Sequence, residues 1–167
     1  AGRQTSVTDA EKHTATTVYD KVGRIIETIT PLKNTTKYEY DNVGRQTLMR
    51  DAENHPWSTE YDDDGRIDKQ ITPMGYETTY AYDKVGRQLS MTNAENETAC
   101  TRYDKAGQVR QTITPMGFTT TYNYDPARRE IEQTNAKGHL STTVYDDADR
   151  MIASVTPMGY RTTQTLD

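Results

Sequence analysis

The sequence predicts an all-β protein built from tandem 21-residue β-hairpin repeats that group into a 42-residue super-repeat, and three observations carry that expectation. Tyr-Asp pairs begin at Tyr19, Tyr40, Tyr61, Tyr82, Tyr103, Tyr124 and Tyr145, an unbroken spacing of 21 residues that marks a repeat array. Each period holds two turn signatures about ten residues apart, which leaves strands of about six residues, the usual strand length. The composition supplies β-favouring side chains, 12 Tyr and 29 Thr, but little aliphatic mass, since Leu, Ile, Val and Phe together number 22 of 167 residues.

The first turn follows each Tyr-Asp pair. In Asp20-Lys21-Val22-Gly23 an aspartate opens the turn, where its side chain accepts from backbone N–H groups further on, and glycine fills the fourth place, where a positive φ is free of steric cost. This is a type I turn with a glycine bulge, a hairpin connection. The same elements recur at Asp41 with Gly44, Asp62 with Gly65, Asp83 with Gly86 and Asp104 with Gly107, and Gly2 holds the corresponding place before the first pair. Asp125 and Asp146 open the last two such turns, but Arg128 and Asp149 stand in the glycine place; aspartate tolerates that geometry, whereas Arg128 is expected to strain it or to adopt another turn steered by Pro126.

The second turn alternates in sequence. Thr72-Pro73-Met74-Gly75, Thr114-Pro115-Met116-Gly117 and Thr156-Pro157-Met158-Gly159 are type I signatures, with Thr30-Pro31-Leu32-Lys33 as a weaker copy. Asp9-Ala10, Asp51-Ala52, Asn93-Ala94 and Asn135-Ala136 open the intervening ones, and this alternation makes the 42-residue super-repeat. Ile29, Ile71, Ile113 and Val155 precede the Thr-Pro turns, and the pairs Tyr38/Tyr40, Tyr80/Tyr82 and Tyr122/Tyr124 follow three of them. Residues two apart in a strand share a face, so each tyrosine pair forms a structural stripe whose hydroxyls reach water or backbone.

Bulk properties exclude several classes. Low aliphatic content marks disorder only when net charge is also high, and here it is −5. No apolar run approaches the ~18 residues of a membrane span, and no signal peptide opens the chain. Cys100 is the single cysteine, so no internal disulfide forms. The chain opens on Ala1-Gly2-Arg3 and closes on Leu166-Asp167, both within the repeat pattern; residues 1–167 read as a single array, a segment of a longer protein.

Candidate chemistry is sparse. His13, His55 and His139 follow second turns, but units 42 residues apart lie four strands, about 19 Å, from each other, too far for a shared metal. Asp62-Asp63-Asp64-Gly65 lacks the remaining ligands of a calcium loop. Asp20 with Arg24, Asp41 with Arg45, Asp62 with Arg66 and Asp83 with Arg87 can pair across their own turns and line one rim, where exposed pairs contribute about 0–1 kcal/mol each. Acid balances every base, which argues against nucleic acid as a partner. With no nucleophile-base pairing, phosphate loop or HExxH motif, no catalytic, cofactor or metal residue is assigned, and enzyme activity is not expected.

About 16 strands at ~4.8 Å would make a ribbon wider than open twisted sheets tolerate, so the antiparallel sheet is expected to coil into a spiral shell wall or β tube. The pattern YDxxGRxxxxxTPxG with YxYD resembles the tyrosine-aspartate repeat of the Rhs family, shared with the C components of bacterial Tc toxins, wall-associated bacterial proteins and, more divergently, teneurins. The resemblance covers the whole chain, and the regularity is closer to the bacterial members. It implies a hollow shell of spiralling hairpins, often around a toxic C-terminal domain, in a secreted, cell-surface or extracellular protein; the family's terminal core motif and self-cleavage aspartate have no match here. Two functions follow. The first is a shell segment that encloses a toxin, with adjacent repeats of the same protein and the enclosed domain as partners. The second is an extracellular filament or adhesion element of identical subunits, carrying or binding glycans along its Thr-rich strands.

Overall fold

A computed structural model describes residues 3–165; Ala1, Gly2, Leu166 and Asp167 lie outside them. It is all-β, with sixteen strands laid in chain order. The chain divides into two compact units, Ala1–Tyr80 and Ala81–Asp167. The first holds β1 (Ser6–Thr8), β2 (Thr14–Tyr19), β3 (Ile25–Ile29), β4 (Thr35–Tyr40), β5 (Gln46–Arg50), β6 (Pro56–Tyr61), β7 (Ile67–Ile71) and the start of β8 (Glu77–Tyr82). The second holds β9 (Gln88–Thr92), β10 (Thr98–Tyr103), β11 (Val109–Ile113), β12 (Thr119–Tyr124), β13 (Glu130–Thr134), β14 (Leu140–Tyr145), β15 (Met151–Val155) and β16 (Arg161–Thr163). Within each unit every strand pairs antiparallel with its chain neighbour.

Two turn classes, different in sequence, share one backbone. After the Tyr-Asp pair, Asp20 N–H donates to Arg24 O at 2.9 Å and Gly23 N–H to Asp20 O at 3.1 Å. At the second turn, Thr72 N–H donates to Tyr76 O at 3.0 Å and Gly75 N–H to Thr72 O at 2.9 Å, and Asp9 N–H to His13 O at 3.0 Å. The fourth place has a positive φ whether or not it is glycine: 95° at Gly23, 80° at Gly75, 69° at Lys12, 66° at Lys33 and 65° at Asn54. Arg128 does not adopt another turn. It stands at φ 69° and closes the same bond to Asp125 O at 2.9 Å, because the Asp125 cap and the flanking ladder fix the loop around it.

The two strands of a unit are unequal. Strands entering a Tyr-Asp turn have six residues and those leaving it five, apart from the shorter β1 and β16 and within the ladder described. A bulge on the shorter strand lies beside the Tyr-Asp turn: Tyr19 faces Ile25 but Val18 faces Glu27, so Ile26 has no partner. The same shift recurs at β4/β5, β6/β7, β10/β11, β12/β13 and β14/β15. Such a bulge raises local twist and re-aims the neighbouring side chain, here the tyrosine.

No hydrophobic core forms. Among the described residues Ala153 alone is buried, and no polar side chain is. The sheet is held instead by its ladders and by cross-strand pairs, each contributing roughly 0.2–1 kcal/mol. Thr17, Thr28 and Thr36 stand side by side on β2, β3 and β4, as do Thr101, Thr112 and Thr120 on β10, β11 and β12. Lys69 lies 3.9 Å from Glu60 and 3.7 Å from Glu77 across β6, β7 and β8. Apolar exposure concentrates at turn tips, with Leu32, Met74, Met116 and Met158 on the Thr-Pro side and Val22, Val43 and Val85 on the Tyr-Asp side.

Candidate functional site

Side chains reach from one repeat into the next at the joint between successive Tyr-Asp turns. It starts with the aspartate. Asp20 Oδ1 accepts from the backbone N–H groups of Val22, Gly23 and Arg24 at 3.0, 2.7 and 2.9 Å, and Oδ2 accepts from Arg24 Nε at 2.7 Å. Partial desolvation pushes the Asp20 pKa up, but the bonds from Arg24 and Gly23 outweigh it and hold the group at about 2. Asp41, Asp62 and Asp83 are lowered by the same balance; at Asp125 and Asp146 the backbone N–H of Arg129 and Arg150 is the leading cause. These pairs are not the exposed rim pairs expected from the sequence, since the Asp20 and Asp41 side chains are only 18% and 21% exposed.

Arg24, Arg45, Arg87 and Arg129 then reach into the following repeat. Arg24 lies over the Tyr40 ring at 4.8 Å and donates from Nη1 to Asp41 O at 3.2 Å. Arg45 repeats this on Tyr61 at 4.5 Å and Asp62 O at 3.4 Å, and Arg129 on Tyr145 at 4.9 Å and Asp146 O at 3.0 Å. Arg87 stacks on Tyr103 at 4.5 Å. The tyrosine answers in the opposite direction: Tyr40 OH donates to Ile25 O at 2.7 Å, Tyr61 OH to Gln46 O at 2.9 Å, Tyr103 OH to Gln88 O at 3.0 Å and Tyr124 OH to Val109 O at 2.8 Å. A stacked, charge-assisted contact of this geometry is one that arginine makes and lysine does not.

Glycine in the Tyr-Asp turn has a second use. A Cβ at Gly65 or Gly107 would meet the incoming Nη1 of Arg45 or Arg87 at 3.2 and 3.3 Å, whereas one at Gly75, Gly117 or Gly159 would meet nothing within 4 Å. Sequence reading finds every residue of the joint but not its reach, because the pairing of Arg24 with Tyr40 depends on lateral register. The constant 16-residue interval from arginine to the next Tyr-Asp tyrosine is the signal that could have revealed it.

The remaining candidates resolve simply. His13 Nδ1 lies 3.2 Å from Asp9 Oδ2, and His55 Nδ1 3.0 Å from Asp51 Oδ2, so each histidine occupies in a second turn the place that arginine holds in a Tyr-Asp turn. Arg66 bridges Asp62 Oδ2 at 2.7 Å and Asp64 Oδ2 at 2.6 Å. Among the described residues no group of three His, Cys, Asp or Glu is placed to hold a metal, and Cys100 is a free, half-buried thiol on β10.

Hairpins fastened turn to turn by tyrosine, aspartate and arginine, with no core beneath them, define a repeat-wall protein. The chain belongs to the teneurin YD-shell family, whose model matches residues 2–166, and it is a shell-forming repeat segment. Among solved structures, it is similar to a chain of the Photorhabdus luminescens Tc holotoxin pore, with 15% identity and a TM-score of 0.69 over 90% of this chain and 9% of that one. The TcdB2-TccC3 crystal structure matches with 14% identity and a TM-score of 0.40, over 93% of this chain and 12% of that one. The segment therefore spans about a tenth of the length of the chains it resembles. No curated protein matches it.

Proposed function

We propose that residues 1–167 are one continuous stretch of wall in a hollow β shell that encloses a toxin or effector domain, in a protein that acts outside the cell. The joint carries this reading. Each repeat is fastened to the next by groups lying within the sheet, so the wall stands without a covering layer and presents polar side chains on both faces. Such a wall can face water on one side and a cargo on the other without a hydrophobic core between them. The residues of the Tyr-Asp turns, Tyr19, Asp20, Gly23 and Arg24 with their counterparts, serve as fasteners, and the second turns at Pro31, Pro73, Pro115 and Pro157 close the opposite edge. The segment has no catalytic centre of its own. Its partners are the adjacent repeats and the enclosed domain.

Limited proteolysis of the intact protein that carries this array tests the reading. The non-repeat domain should survive protease that digests it when it is expressed alone. Equal digestion of both forms, or electron micrographs showing open filaments in place of closed particles, would overturn enclosure.

A further inference from the structure

One joint lacks its arginine. In the turn opened by Asp104 the fifth place is Gln108, and its side chain bypasses the usual partners, with Nε2 donating to Arg128 O at 2.9 Å. The groups that hold a guanidinium elsewhere are all in place. In the Arg129 joint they are Asp125 Oδ2 at 2.6 Å, the Tyr145 ring at 4.9 Å and Asp146 O at 3.0 Å. Their counterparts here are Asp104, Tyr124 and Asp125 O. Asp104 Oδ1 caps its turn, accepting from Ala106 and Gln108 N–H at 2.8 and 2.9 Å, and Tyr124 is seated like its sisters through its bond to Val109 O. Among the described residues nothing bonds to Asp104 Oδ2, and no cation lies over the Tyr124 ring.

Space and charge agree with this vacancy. A cleft of about 420 Å³ opens at the place, with Asp104, Gln108, Tyr122, Tyr124 and Asp125 in its wall. Burial first, then the nearby Glu130, Tyr122 and Asp104, push the Tyr124 phenol above its ordinary value, the direction a locally negative field produces. A side chain in the fourth turn place does not bar a guanidinium. Asp149 stands there in the neighbouring joint, and Arg129 still donates from Nη1 to both Asp146 O and Asp149 Oδ1. Arg110 and Arg128 also line the cleft, so bulk charge does not draw cations in. Selection falls to the ring face and the one carboxylate oxygen, which favours a flat, weakly hydrated guanidinium over an ammonium.

We propose that the vacant joint at Asp104, Tyr124 and Asp125 is a binding site for a guanidinium group on an aliphatic stem, supplied by an arginine of a partner polypeptide segment. The partner completes in trans the fastening that the chain makes for itself at the other joints.

The test is titration of the chain with a capped Ala-Arg-Ala peptide, followed by NMR shifts of the Tyr124 ring and the Gln108 side-chain amide. Saturable shifts confined to this joint are expected, with the capped Ala-Lys-Ala peptide weaker and free arginine no tighter. Asp104→Asn should weaken the peptide about tenfold, the loss of one charge-assisted bond. It should leave the turn intact, since Asn93 Oδ1 caps its own turn through Glu95 and Glu97 N–H at 3.0 and 2.9 Å. Gln108→Arg should abolish binding and raise the melting temperature, because the chain then fills the site itself. Absent saturation, equal binding of the lysine peptide, or undiminished binding by Gln108→Arg would overturn the assignment; tighter binding of free arginine than of the peptide would overturn the polypeptide source.

Discussion

The two turn classes have the same backbone and different work. Around Asp20 and around Thr72 the chain reverses through equivalent hydrogen bonds, with the fourth residue at positive φ. What differs is the fifth place. Arg24 crosses to Tyr40 and Asp41, whereas Tyr76 points into solvent at 54% exposure. The second turn accordingly accepts Thr-Pro-Met-Gly, Asp-Ala-Glu-Asn or Asn-Ala-Lys-Gly in turn, because it has only its own geometry to satisfy. Turn backbone builds a hairpin, and a side chain reaching sideways turns hairpins into a wall.

Acid is the perturbation expected to separate the two edges most, since it acts on six Tyr-Asp carboxylates at once and, at the other edge, on Asp51. Asp20 titrates near 2 in the fold against an ordinary value of 3.8, and Asp41, Asp62, Asp83, Asp125 and Asp146 are lowered too. A folded pKa below the unfolded one contributes stability that is complete above 3.8 and lost as pH falls toward about 2. Thermal melts should therefore be flat above that window and drop steeply within it. Asp62→Asn, which keeps a turn cap without the ion pair, should show a shallower slope; an unchanged slope would acquit this edge.

Single substitutions sharpen the contrast further. Tyr61→Ala removes a ring, an arginine stack and the bond to Gln46 O, and should cost about 2 kcal/mol, below the range for a fully buried aromatic. Its counterpart Tyr76→Ala should stay within about 0.5 kcal/mol in the same denaturant titration. Gly117→Val should cost roughly 1–2 kcal/mol from backbone strain alone. Gly65→Val should cost more than that, because its Cβ also meets Arg45; equal costs would remove the second role assigned to the glycine. The smallest effect belongs to His55→Gln, within about 0.5 kcal/mol by chemical denaturation, because the exposed His55–Asp51 contact ends inside its own turn.

Much of this was legible in the sequence. Period, turn chemistry and strand length follow from local rules, and Tyr19, Asp20, Gly23 and Arg24 stand out because each turn needs their residue types locally. The unequal strands were also implied by the number: two five-residue loops leave 11 of 21 residues, which divide as six and five. Lys12 and Lys33 at positive φ leave no compositional trace, because the paired strands impose that conformation on whatever residue stands there. Nor does the passage of Arg24 onto Tyr40, a contact between hairpins whose partners only the sheet register selects.

The constancy of that passage has a meaning for the gene. Arg3, Arg24, Arg45, Arg87 and Arg129 each meet a tyrosine 16 residues on, so the joint keeps one interval from unit to unit. Recombination that removes 21 codons between two matching points would hand Arg24 the tyrosine at position 61 in place of that at 40, with the same glycine to pass and the same carbonyl to reach. The array can thus lengthen or shorten by unequal crossing-over without a repair mutation. An insertion of one codon within a strand has no such freedom, since it would turn each later side chain of that strand to the opposite face.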